Sequence, residues 1–121
     1  MTTVAKKTTR IALNMEAMQA HAGDAARLLK ALANEKRLQV LCLLAADERS
    51  VGEINAMLDL SQSALSQHLA VLREEGLVRT RREAQVIYYS LMPGPAAEVM
   101  QTLHGIYCKP APARGRKSAA T

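Results

Sequence analysis

The sequence predicts a mainly α-helical domain closed by a small β-hairpin, and three observations carry that expectation. Leu65, Leu69 and Leu72 recur at spacings of four and three, while Ser61, Gln62, Ser63, Ser66 and Gln67 take the other side of the same helix. Two β-rich runs, 77–82 and 86–91, flank a short turn at Glu83-Ala84-Gln85. Upstream, Leu38-Gln39-Val40-Leu41-Cys42-Leu43-Leu44 is apolar nearly all round, as a central buried helix is. A short helix, a tight turn, a second helix and a two-stranded wing, in that order, describe a winged helix-turn-helix.

The elements follow in chain order. A short amphipathic helix is expected over 14–21, with Met15 and Met18 on one side. Gly23 should interrupt it, and Asp24 can cap a second helix over 25–33 with Leu28, Leu29 and Leu32 inward. Asn34 caps the central helix, 35–46. Ser50-Val51-Gly52-Glu53 fits a capping box, which starts a helix over 51–58 with Ile54, Met57 and Leu58 packed inward. Ser61 caps the polar-faced helix and Gly76 stops it. Pro93 and Pro95 precede a last helix, 96–107, striped by Val99, Met100, Leu103, Ile106 and Tyr107. That stripe and the one on the first helix predict a two-fold homodimer through the N- and C-terminal helices.

The charge is unevenly placed. The net +5 comes from the two ends, 1–13 and 109–121, which hold seven basic residues and no acids; residues 14–108 hold nine basic and eleven acidic ones. The reading is therefore one domain over 14–108 with two basic tails that lack apolar periodicity and are expected to be disordered. A mildly acidic middle argues against a generally adhesive nucleoid protein and for a narrow, oriented contact.

A helix that shows water compact hydrogen-bonding groups suits close approach to base edges in the major groove of double-stranded DNA. Gln62 and Gln67 suit adenine, and Ser63 and Ser66 suit a base or a phosphate. Arg79, Arg81 and Arg82 near the hairpin tip suit phosphates, and Arg73 beside the polar face reaches one; His68 packs or touches a phosphate. In a dimer, two such helices about 34 Å apart match a palindromic operator.

Enzyme chemistry is not expected. There is no Gly-rich phosphate loop, no pair of carboxylates in an apolar setting and no supported Ser-His-Asp set, and no cofactor is implied. No apolar run approaches the ~18 residues of a membrane span, and two cysteines suit a reduced compartment, so a cytoplasmic protein is expected.

The segment LLKALANEKRLQVLCLL, followed by VGEINAMLDLSQSALSQHLAVLREEGLVRTRREAQVIYYSL, closely resembles the ArsR/SmtB family of bacterial winged-helix repressors. The resemblance covers about residues 25–91 and implies a homodimer that releases its operator when an inducer, usually a metal ion, binds. Many members carry a Cys-x-Cys metal site in the helix before the recognition helix. Here Ser50 and Gly52 stand at those places, and neither is a useful ligand for soft or borderline metals.

Two thiols remain. Cys42 reads from its surroundings as a small core residue, whereas Cys108 follows the last apolar turn where exposure is expected. One Cys in the central helix and one at the end of the last helix resemble the BigR/SqrR-type subgroup, which senses reactive sulfur. That resemblance implies that Cys42 and Cys108 become linked by oxidants or by persulfide and polysulfide chemistry, lowering operator affinity at sulfide-detoxifying genes. The alternative is a metal-responsive repressor using Cys42, His104 and Cys108, since His104 and Cys108 share a helix face.

Overall fold

A computed structural model of the chain describes residues 9–108. The two tails, apart from residues 9–13, lie outside the described residues, and so does the expectation of disorder for them. Within 9–108 the order is α1 (Met15–Leu32), α2 (Glu35–Ala46), β1 (Arg49–Ser50), α3 (Val51–Met57), α4 (Gln62–Glu74), β2 (Val78–Glu83), β3 (Val86–Leu91) and α5 (Pro95–Tyr107).

Most boundaries sit where a side chain closes a helix end. Asn34 Oδ1 accepts the amides of Lys36 and Arg37 at 2.9 and 3.0 Å and starts α2. Ser50 and Glu53 form the expected capping box, with Glu53 N to Ser50 Oγ at 3.1 Å and Ser50 N to Glu53 Oε1 at 2.8 Å. Ser61 Oγ accepts the Ala64 amide at 3.1 Å at the head of α4. At its tail, Gly76 has φ +75°, and the amides of Gly76 and Leu77 return to the carbonyls of Arg73 and Leu72. That paired return is a Schellman motif and needs the left-handed backbone that glycine allows without strain.

Three expectations are corrected. Residues 15–32 form one helix rather than two, and Asp24 lies inside it; Asn14 is the cap, with Oδ1 accepting the Ala17 amide at 3.0 Å. A single interior glycine costs only about 1 kcal/mol, less than orphaning two further helix ends and nucleating again. Leu29 and Met57, expected inward, are exposed. Cys42, read as a core residue, is also exposed, because α2 buries only the stripe of Val40, Leu41 and Leu44.

The core joins Ala31, Leu32, Val40, Leu41, Leu44, Ile54, Leu65, Leu69, Leu72, Leu77, Val78 and Ala96. The sheet has three antiparallel strands in the order β1-β3-β2, with Arg49 opposite Tyr89 and Arg81 opposite Tyr88. β1 has only two residues, too few for the alternation by which strands are read in sequence. Val78, Tyr89 and Leu91 on one sheet face pack on the core. The α5 stripe divides: Val99 and Met100 pack within the subunit, while Ile106 and Tyr107 stay exposed. Among the described residues, no helix is long and apolar enough to cross a membrane.

Candidate nucleic-acid interface and thiol pair

α4 turns its three buried leucines inward and leaves Ser61, Gln62, Ser63, Ser66 and Gln67 exposed, as the 3.6-residue period requires. Opposite the leucines, the outermost ridge runs through Ser63, Gln67, Ala70 and Glu74. Ser66 and Arg73 flank it on the sheet side, where they share a shallow depression with Tyr89 of β3. Ser61 is partly committed as the helix cap, which leaves its hydroxyl 3.5 Å from that of Ser63.

His68 is not on the ridge. It is half-buried on the α2 side, where Arg37 Nη1 stands 3.5 Å from its Nδ1. A guanidinium only donates, so this contact is a hydrogen bond when Nδ1 accepts and the ring proton sits on Nε2. Burial first, and the Arg37 charge second, hold the imidazole below its ordinary range. His68 thus packs against Arg37 of α2.

The three wing arginines separate by the strand period of two. Arg82 lies opposite Ile87, on the face that carries Val78, Thr80 and Tyr89 and looks toward α4. Arg79 and Arg81 lie on the other face. Arg79 is exposed. Arg81 is engaged: Nε and Nη2 each donate to Glu48 at 2.8 Å and Nη1 donates to Glu83 at 3.0 Å. Its guanidinium carbon lies 4.6 Å from the Tyr88 ring centroid. These bonds hold the guanidinium protonated even more firmly than usual. Arg81, expected as a phosphate contact, is thus occupied by the protein itself, and Glu48 is a partner that sequence reasoning missed. Thirty-three residues separate the two, and no local pattern links them.

The thiols stand on neighbouring helices. Cys42, Ala45 and Ala46 of α2 face Ala97, Met100, Gln101 and His104 of α5 across a groove of about 470 Å³, with Leu91 also lining it. The Cys108 amide donates to the His104 carbonyl at 2.8 Å, so the helical turn continues and Cys108 extends the same α5 stripe by one turn. Both thiols are free and exposed. The alternative set of Cys42, His104 and Cys108 does not close around an ion: among the described residues, no group of three or more His, Cys, Asp or Glu is placed to hold a metal.

A capped helix with a small polar ridge, held by a helix-turn and backed by a hairpin wing, defines a winged-helix DNA-binding regulator. The comparisons with known proteins agree. Residues 34–80 match the model of the bacterial regulatory protein, arsR family. The chain is 50% identical over 97 residues to the transcriptional activator HlyU of Vibrio cholerae, covering 80% of this chain and 90% of that protein. It is 49% identical over 96 residues to the biofilm growth-associated repressor of Agrobacterium fabrum, covering 79% and 82%. The crystal structure of the transcriptional repressor BigR from Xylella fastidiosa superposes with a TM-score of 0.74 at 41% identity, over 79% of this chain and 98% of that one. This chain belongs to the ArsR family of bacterial transcriptional regulators, a family of DNA-binding proteins rather than enzymes.

Proposed function

We propose that this regulator is a cytoplasmic homodimeric repressor of a palindromic operator that lets go when Cys42 and Cys108 become linked. The observation that carries the reading is the groove between α2 and α5: Cys42 and His104 line it, Cys108 follows His104 by four residues, and both thiols are exposed. The resemblance to dithiol sensors of reactive sulfur supports it from the sequence side, and sulfide-detoxifying genes are the targets that this resemblance implies.

The chemistry needs no group beyond the two thiols and an organic persulfide, RSSH. The Cys42 thiolate attacks the outer sulfur of RSSH; the S–S bond breaks, RSH leaves with the thiol proton, and Cys42 becomes a persulfide. The Cys108 thiolate then attacks the inner sulfur of that persulfide, forming Cys42–S–S–Cys108 and releasing hydrogen sulfide. Two thiols are oxidised and the sulfane sulfur is reduced. A direct disulfide draws the two alpha-carbons to within roughly 4.4–6.8 Å, and extra sulfur atoms would relax that demand.

Each bridge ties α2 to α5. Ile106 and Tyr107 of α5, with Met15, Met18 and Leu29 of α1, are exposed large apolar side chains, and a second copy of the chain is the occupant that suits them. Moving α5 therefore alters the spacing of the two recognition helices, and about 1.4 kcal/mol of preference for the wrong spacing weakens operator binding tenfold. In the bound state Gln62, Ser63, Ser66 and Gln67 read base edges, while Arg73, Arg79 and Arg82 take phosphates.

The test uses a duplex selected from a random pool by the reduced protein. Polysulfide should release the wild type and leave Cys42→Ser and Cys108→Ser bound; normal release of either variant overturns the switch. Intact mass then counts sulfurs: a disulfide is about 2 Da lighter than the dithiol, and each added sulfur makes the bridge about 32 Da heavier.

A further inference from the structure

The bond that ties the wing to the subunit also ties it to the thiol-bearing helix. α2 ends at Ala46, Asp47 caps it, and Glu48 follows at once. Both Glu48 oxygens accept from Arg81 in a fork-to-fork pairing, the geometry that makes such bonds strong and directional. One residue on, Arg49 Nε donates at 3.2 Å to the Leu43 carbonyl in the last turn of α2, and β1 pairs with β3. Besides the core packing of Val78, Tyr89 and Leu91, the wing is thus tied to the C-terminal end of α2 by one side-chain pair and a two-residue strand. Cys42 lies one helical turn upstream.

We propose that Arg81 is a positioning residue: paired to Glu48, it fixes the wing's angle to the recognition helix and makes no phosphate contact, so that movement at the end of α2 passes to the wing. The electrostatics favour this over the phosphate role. Arg81, Glu48 and Glu83 together carry one net negative charge, and a phosphate approaching the guanidinium also meets the two carboxylates bonded to it. Moving Arg81 to the DNA would strand both carboxylates beside a polyanion. The wing-positioning role rests on winged-helix DNA binding; only the passage of movement from α2 rests on the thiol reading.

The two roles for Arg81 predict opposite signs at Glu48. Affinity of the full chain for the selected duplex is measured by fluorescence anisotropy from about 50 to 200 mM salt. If Arg81 positions the wing, E48A, R81A and R81K each weaken binding about two- to fivefold, and the E48A/R81A double variant is no weaker than R81A. R81K fails with R81A because an ammonium cannot make the two-pronged pairing. The salt slope stays that of the wild type. If Arg81 is instead a phosphate contact, E48A tightens binding by freeing it, R81K keeps most of the affinity, and R81A flattens the slope by about one ion. Either that pattern or no change in any variant overturns the proposal.

The relay is read separately. In E48A whose thiols are bridged, as verified by intact mass, the ratio of reduced to bridged affinity should shrink at least about twofold. An unchanged ratio removes the relay. If the wild type forms no bridge, the thiol reading fails alone, and the Glu48 and Arg81 affinities still decide the positioning role.

Discussion

Nη1 of Arg37 stands 3.5 Å from Nδ1 of His68, across the seam between α2 and the recognition helix. The same guanidinium donates through Nε to the Ala31 carbonyl at 2.6 Å, so one side chain joins the end of α1, the start of α2 and the flank of α4. With the His68 proton on Nε2, the contact needs a neutral ring.

His68 therefore makes stability depend on pH. Its folded value is depressed, by burial and then by Arg37, from about 6.5 in the unfolded chain. Above about pH 6.5 both states leave the ring neutral and the contact is fully present; as pH falls below that, the unfolded chain takes up a proton first and stability declines until the folded ring also titrates. Thermal melts should show the wild type losing more Tm than His68→Gln between about pH 7.5 and 5.5. Equal losses would remove this account of the contact.

The caps give a second prediction. Asn34→Ala removes the side-chain oxygen that accepts the amides of Lys36 and Arg37 at the head of α2. Urea unfolding should register a loss of about 1 kcal/mol, with Ser50→Ala costing a similar amount through the broken capping box.

The wing tip holds a third. Glu83 pairs with Val86, which leaves Ala84 and Gln85 as a two-residue loop, and Ala84 takes φ +58°. Left-handed backbone costs a non-glycine residue about 1–2 kcal/mol, more than the entropy glycine would add. Ala84→Gly should raise the urea midpoint by the equivalent of about 0.5–1 kcal/mol. A lowered midpoint contradicts the strained turn.

Core and surface leucine-like positions should separate cleanly. Leu65 is fully buried, so Leu65→Ala should cost about 2–5 kcal/mol. Met57 is half exposed despite its place on the apolar side of the sequence pattern, and Met57→Ala should stay within about 0.5 kcal/mol.

The proposed DNA contacts divide into reading and holding. Gln67, on the outermost ridge of α4, should relax base preference at one operator position when changed to Ala, with a cost of about 1–3 kcal/mol at the preferred base. Arg82→Ala should weaken operator and random duplex alike and reduce the salt slope by about one. Binding titrations on both duplexes distinguish the two effects.

What the sequence determined by itself is local in origin. Caps at Asn34, Ser50 and Ser61, the stop at Gly76 and the leucine period of α4 each arise from residues within a few positions of one another, where helix geometry fixes who meets whom. The polar ridge was legible for the same reason. Only the tertiary structure decided that Gly23 stays helical, that Cys42 opens onto a groove with α5, and that β1 adds a third strand. It also decided that Arg81 belongs to Glu48 and His68 to Arg37. Those last outcomes depend on residues about thirty or more positions apart. No periodicity encodes such meetings, because they exist only once the core has brought separate helices and strands to van der Waals distance.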